Sequence, residues 1–134
     1  MPKDGEVLVR VHATAVNDID WAFMRGKPHV YRLLFGVLRP KVSVLGAEVA
    51  GTVEASGKAA SRFAPGDRVY GDICEAGLGG FAEYVCVRET ALVHIPPGVS
   101  FEQAAALPHA GMLAWQGLVD VGKIREGERV LING

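Results

Sequence analysis

Apolar β-branched runs in this chain never extend far before glycine or proline cuts them off. That punctuation restricts the fold to short strands closed into a small barrel or sandwich. Glu6 to Ala13 alternates, with Val7, Val9 and Val11 on one face and Leu8, Arg10 and His12 on the other. Val49-Ala50-Gly51-Thr52-Val53-Glu54 predicts a second strand, whose glycine signals a bulge or a close backbone approach. Pro65-Gly66-Asp67 is a turn feeding a third strand through Arg68-Val69-Tyr70. Phe81 to Val87 and Leu92 to Ile95 read as a fourth and a fifth, stopped by Pro96-Pro97-Gly98. The fold class is mainly β with short helices.

The helices announce themselves by their caps. Asn17 is an N-cap with Asp20 at the third helical position and Gly26 as terminator. Val30, Leu33, Leu34, Val37 and Leu38 then form one stripe of an amphipathic helix between Pro28 and Pro40. Ser100 and Gln103 make a capping box, Pro108 restarts the helix, and Gly122 closes it. Both faces of the 110–121 stretch are apolar, which predicts burial on two sides.

At 134 residues the chain is expected to bury roughly two-thirds of its unfolded surface around one core. A net charge of −1 gives no bulk attraction to nucleic acid or to an acidic membrane, and no apolar run reaches the ~20 residues of a span. Neither nucleic acid nor membrane is an expected partner, and the expected location is cytoplasmic. Cys74 and Cys86 do not form a C-x-x-C motif and read as packed, reduced thiols.

The last residues, Glu128-Arg129-Val130-Leu131-Ile132-Asn133-Gly134, follow a buried-strand pattern that runs into glycine. A dinucleotide-binding unit opens in this way. The expected organisation is a substrate-side domain over 1–127 and, over 128–134, the first strand of a cofactor domain that the chain does not continue.

Five segments in order carry a resemblance: Val16-Asn17-Asp18-Ile19-Asp20-Trp21, Leu45-Gly46-Ala47-Glu48-Val49-Ala50-Gly51-Thr52-Val53, Phe63-Ala64-Pro65-Gly66-Asp67-Arg68-Val69, Gly79-Gly80-Phe81-Ala82-Glu83-Tyr84-Val85 and Ile95 through Ala105. Together they resemble the medium-chain dehydrogenase/reductase superfamily, in particular its zinc-independent, quinone-oxidoreductase-like branch. The resemblance implies a GroES-like β-barrel, truncated here before a Rossmann domain that binds NADPH or NADH. It also implies that some N-terminal residues, a hairpin before Glu6, are missing.

Zinc-dependent members hold their metal at positions that match Asn17, Ala47-Glu48 and His109 in this sequence. An amide and a methyl stand where a thiolate and an imidazole would be, so no metal, zinc included, is expected. Without a Lewis acid, hydride transfer to a carbonyl needs hydrogen-bond donors at the oxygen. The resemblance places Asn17 beside the nicotinamide and substrate, as donor, as helix cap, or as both. His109 is the second catalytic candidate, as a neutral donor at a helix start or as a histidine bonded only to backbone. Trp21 is expected to wall the substrate pocket, Asp20 to start its helix at the pocket's edge, Tyr31 to donate from above, and Glu48 to hydrogen-bond behind the site with Arg68 as partner. Asn133 and Gly134 fall where the cofactor loop begins. The basic run Arg25, Lys27, His29, Arg32, Arg39 and Lys41 reads as a solvated face or as a steering patch for an anion.

The expected function is therefore the substrate side of an NAD(P)H-dependent oxidoreductase acting on a small-molecule quinone, enone or aldehyde. No cofactor is expected to bind this piece, and the piece should be inactive alone. The intact protein is expected to be a homodimer, while the apolar 110–121 surface would drive non-native self-association of the piece. Two alternatives stand: a co-chaperonin or interaction module of the same barrel type, and a zinc alcohol dehydrogenase domain. The 24–45 stretch, helical in period and bounded by prolines, does not resemble a co-chaperonin's mobile loop.

Overall fold

The computed structural model describes residues 1–27, 29, 36 and 42–133. The 28–40 helical stripe and Tyr31, like Arg32, Arg39, Lys41 and Gly134, lie outside the described residues. Among the described residues five strands form one antiparallel sheet: β1 (Glu6–Ala13), β2 (Glu48–Ser56), β3 (Arg68–Asp72), β4 (Tyr84–Arg88) and β5 (Val93–His94), in the order β4-β1-β2-β3-β5. Among the described residues the sheet is not closed, since the edge strands β4 and β5 do not pair with each other.

The alternation in β1 works as expected. Val7 and Val9 are fully buried and pack with Val49, Val53, Val69, Val85, Val87, Ile73, Leu92 and Phe63 in one core. Burying a side chain of this size stabilises by roughly 1.5–3 kcal/mol. The other face carries a smaller cluster, Ala50 with Ile95, Ala104 and Ala105. Alanines there let a helix lie close against the sheet.

Gly51 is the close approach that its position in a strand foretold. A Cβ on it would lie 2.1 Å from the Arg10 carbonyl oxygen, and the β1–β2 register shifts on both sides of this point. Strand β4 begins three residues later than its sequence pattern. Phe81 instead donates its backbone N–H to the Leu45 carbonyl, and Gly80 donates to Gly46.

Helix α1 (Asp18–Arg25) has Asn17 at its N-cap and ends at Gly26, as expected. Helix α2 (Phe101–Ala105) starts from the Ser100–Gln103 capping box, with both reciprocal hydrogen bonds present. Helix α3 (Pro108–Trp115) passes into a wider π-type stretch at Gln116–Val121.

Two expectations fail in the structure, the burial of 110–121 and the packing of Cys86. The 110–121 segment is not buried on two sides: Met112, Leu113, Trp115 and Val121 are all exposed. Apolar composition calls for a partner surface, and none of the described residues supplies one. Residues 128–133 pair with no strand among the described residues, and Leu131 and Ile132 are exposed there. Cys86 is exposed on β4 and not packed, while Cys74 is half-buried; both are free thiols. Among the described residues no helix is long and apolar enough to cross a membrane.

Candidate active site

Strand β2 opens on a glutamate and strand β3 closes on an aspartate. Antiparallel pairing sets Glu48 directly opposite Asp72. Like charges so placed are destabilising unless something sits between or beside them. Glu48 is only 1% exposed, so its carboxylate must be satisfied by protein groups.

The start of α3 satisfies both acids. Leu107 is its N-cap and offers no side-chain oxygen, and Pro108 has no N–H. His109 therefore supplies the first free backbone donor, which reaches Glu48 Oε1 at 2.6 Å. The same residue's ring nitrogen Nδ1 lies 2.8 Å from Asp72 Oδ2. The positive end of the helix dipole faces the acids and favours them further.

Glu48 meets the other side of the site through its second oxygen. Asn17 Nδ2 donates to Oε2 at 2.5 Å, so one buried carboxylate joins the α1 N-cap to the start of α3. The other N–H of the Asn17 amide has no partner among the described residues. Thr14 Oγ1 adds a bond to the Glu48 carbonyl at 2.6 Å, pinning the strand end.

Asp20, also buried, accepts the Asn17 backbone N–H and the Gly46 N–H, both at 3.0 Å. Gly46 has φ +104°, and a Cβ there would meet the Phe81 nitrogen at 2.5 Å. Asp20 thus ties α1 to a loop that only glycine can build, with each carboxylate oxygen taking one backbone N–H. Trp21 is exposed on α1, with the Arg25 guanidinium 4.9 Å from its ring centre. Asn133 is exposed and forms no hydrogen bond with these groups.

The expected Glu48–Arg68 pair does not form. In the β2–β3 register Arg68 stands opposite Thr52, four residues from Asp72 and so ~13 Å along the strand. Its guanidinium lies over Phe101 at 4.5 Å and donates to the Val99 carbonyl at 2.8 Å. The His109 ring is not bonded only to backbone: its Nδ1 lies against the Asp72 side chain. The ring faces a carboxylate, and a carboxylate can only accept.

Asp72 is the residue that sequence reasoning missed. Pairing the strands on either side of the Pro65-Gly66 turn would have put it beside Glu48. Asp72 Oδ1 also accepts the Cys74 N–H at 2.8 Å. Burial, and then the nearby charges of Asp72, Asp20 and Glu75, push the Cys74 thiol above its ordinary value of 9.0. A cleft of about 510 Å³ opens here, lined by His109, Asp72, Cys74, Glu75, Arg88 and Met112 among others. Asn17 and Trp21 do not line this cleft.

Among the described residues no three His, Cys, Asp or Glu side chains are disposed to hold a metal ion together. At the positions where a metal would need donors, Ala47 is buried and carries only a methyl, and both Glu48 oxygens are already engaged.

Residues 3–97 match the family model described as the alcohol dehydrogenase GroES-like domain. A chloroplastic quinone-oxidoreductase homolog from Spinacia oleracea is 36% identical over 136 aligned residues, covering 96% of this chain and 38% of that protein. The quinone oxidoreductase of Pseudomonas syringae pv. Tomato DC3000 superposes with a TM-score of 0.78 at 35% identity, over 96% of this chain and 36% of that one. Escherichia coli quinone oxidoreductase, whose structure was determined with NADPH, superposes with a TM-score of 0.71 at 26% identity, over 87% of this chain and 33% of that one. The chain thus spans well under half the length of the relatives it matches.

Proposed function

We propose that this chain, which belongs to the alcohol dehydrogenase GroES-like domain family and to the quinone-oxidoreductase-like branch of the medium-chain dehydrogenases/reductases, forms the substrate side of an enzyme that reduces quinones, enones or aldehydes. Bound NADPH or NADH would supply the hydride. The observation that carries this reading is the Asn17 amide, held by the buried Glu48 carboxylate with one N–H that has no partner among the described residues. A donor oriented before substrate arrives stabilises the charge that develops on a carbonyl oxygen as hydride adds to its carbon.

The chemistry proceeds on this reading without a metal. Its support is the donor set: the Ala47 methyl ligates nothing, and both Glu48 oxygens already accept hydrogen bonds. Asn17 is placed at the nicotinamide, with Asn133 and Gly134 leading into the cofactor-binding segment. Tyr31 and Trp21 are assigned to the substrate pocket, and Asp20 to holding its floor. The cytoplasmic location and the homodimeric state belong to the same reading of the whole enzyme.

Fusing residues 1–134 to the cofactor-binding remainder of a related quinone oxidoreductase tests it. The fusion should oxidise NADPH in the presence of a quinone, and Asn17→Ala should lower kcat by about 10²–10³-fold. A folded fusion with unchanged kcat after that substitution would remove Asn17 from the mechanism. Residues 1–134 alone should give no turnover with NADPH and quinone. Elemental analysis returning stoichiometric zinc would exclude the metal-free route.

A further inference from the structure

We propose that Asp72 is a positioning residue for His109, holding the ring in the tautomer protonated at Nδ1 and leaving Nε2 to exchange a proton with the substrate oxygen in the cleft. This deepens the oxidoreductase reading and rests on it for the identity of the substrate. Three observations carry it. The Nδ1 to Asp72 Oδ2 distance is 2.8 Å, and an ionised carboxylate has no proton to give, so Nδ1 bears one. Nε2 has no hydrogen-bond partner among the described residues, although the ring lines the cleft of about 510 Å³. The His109 backbone N–H is anchored on the buried Glu48 carboxylate at 2.6 Å, which fixes the residue that carries the ring.

The tautomer decides what Nε2 can do. With Nδ1 protonated, the neutral ring presents a bare acceptor to the cleft, and the protonated ring presents an N–H. Reduction of a carbonyl breaks its C–O π bond, forms C–H with the nicotinamide hydride and forms O–H with the proton from Nε2. The carbonyl compound is reduced, the nicotinamide is oxidised, and the ring is left neutral with its proton still on Nδ1. In the reverse direction Nε2 accepts the hydroxyl proton. The charged groups around the ring are Asp72 at the end of β3, Glu75 just after it, Glu48 on β2 and Arg88 on β4, and the Cys74 thiol lines the same cleft. Among the residues lining the cleft, His109 alone pairs a fixed nitrogen with a free one.

Long-range ¹H–¹⁵N spectra of the 134-residue chain test the pairing without any turnover. In the neutral ring, His109 Nδ1 should give a protonated-type signal and Nε2 a bare-type one, and Asp72→Ala should move the proton to Nε2. A wild-type ring protonated at Nε2 overturns the proposal, as does a folded Asp72→Ala chain with the tautomer unchanged. Should that variant fail to fold, the wild-type spectrum decides alone. The second arm adds 4-methoxyphenol, a redox-inert hydroxyl donor, and compares it with 1,4-dimethoxybenzene. The Nε2 signal should shift with the phenol and not with the diether; a shift with both, or with neither, removes the hydroxyl-binding role. An inactive fusion enzyme with the tautomer as described would instead count against the oxidoreductase reading and leave the pairing intact.

Discussion

Asn17 Nδ2 sits 2.5 Å from Glu48 Oε2, across 31 positions of sequence, and it is this contact that ties the N-cap of α1 to the first residue of β2. The other Glu48 oxygen takes the His109 N–H, so one carboxylate holds three elements together. A hydrogen bond to a charged group contributes about 1.5–3 kcal/mol, and stranding a buried partner costs about as much again.

Glu48→Ala should therefore destabilise the domain by about 2–4 kcal/mol, because it leaves the His109 N–H and the Asn17 amide without their acceptor. Glu48→Gln should cost less, since one amide oxygen can still accept one of the two donors. Urea unfolding followed by fluorescence measures both. Equal midpoints for wild type and Glu48→Ala would show that the carboxylate contributes nothing to the fold.

Asp20→Ala should cost about 2–3 kcal/mol, because two backbone N–H groups lose a buried acceptor. The loss should be local as well as global. Amide exchange at Gly46 should speed up more than exchange in β1, as the loop before β2 comes free of α1. If exchange at Gly46 stays unchanged while the domain keeps its stability, Asp20 is free to serve a ligand instead.

How much of this was legible beforehand follows from the range of each interaction. The alternation of Val7 and Val9, the Gly51 approach and the Ser100–Gln103 box depend on neighbours in sequence or on a strand's own period, and each is visible in the residues. The Asp72–His109 contact joins positions 37 apart and the Glu48–His109 contact joins positions 61 apart. Only the register between β2 and β3 and the placement of Pro108 bring them together. Arg68 was the natural partner for a buried acid by charge alone, and the same register put it four residues away, beside Phe101. The apolar 110–121 stretch showed that a partner surface is needed without showing where it lies. Residues 128–132 have a strand's pattern and join no ladder among the described residues.

The two thiols should differ in reactivity. Alkylation requires the thiolate, and burial together with the negative charges of Asp72, Asp20 and Glu75 holds Cys74 in its neutral form above the ordinary range. Iodoacetamide at pH 8 should label the exposed Cys86 first, as read by mass spectrometry of the digested protein. The Cys74 rate should still be climbing above pH 9.0, the ordinary value for a thiol. Asp72→Asn removes one of the opposing charges and should speed Cys74 labelling at fixed pH. A Cys74 rate equal to that of Cys86 would contradict the burial and charge assignment.

The exposed apolar surface of α3 and its continuation should make this chain self-associate. Leu113 and Trp115 are 57% and 63% exposed, and Met112 and Val121 stand open beside them. The chain's net charge of −1 offers little repulsion to oppose contact between copies. Removing one leucine-sized side chain from a buried contact forfeits roughly 1.5–3 kcal/mol, which is about tenfold or more in a dissociation constant. Sedimentation velocity should show the mean mass rising with concentration, and Leu113→Glu should shift that rise to about tenfold higher concentration or beyond. Because Leu113 is 57% exposed and belongs to neither core cluster of the described residues, the variant should keep its urea midpoint, separating an effect on association from an effect on folding. A monomer at every concentration, with or without the glutamate, would mean that this face is covered from within the chain.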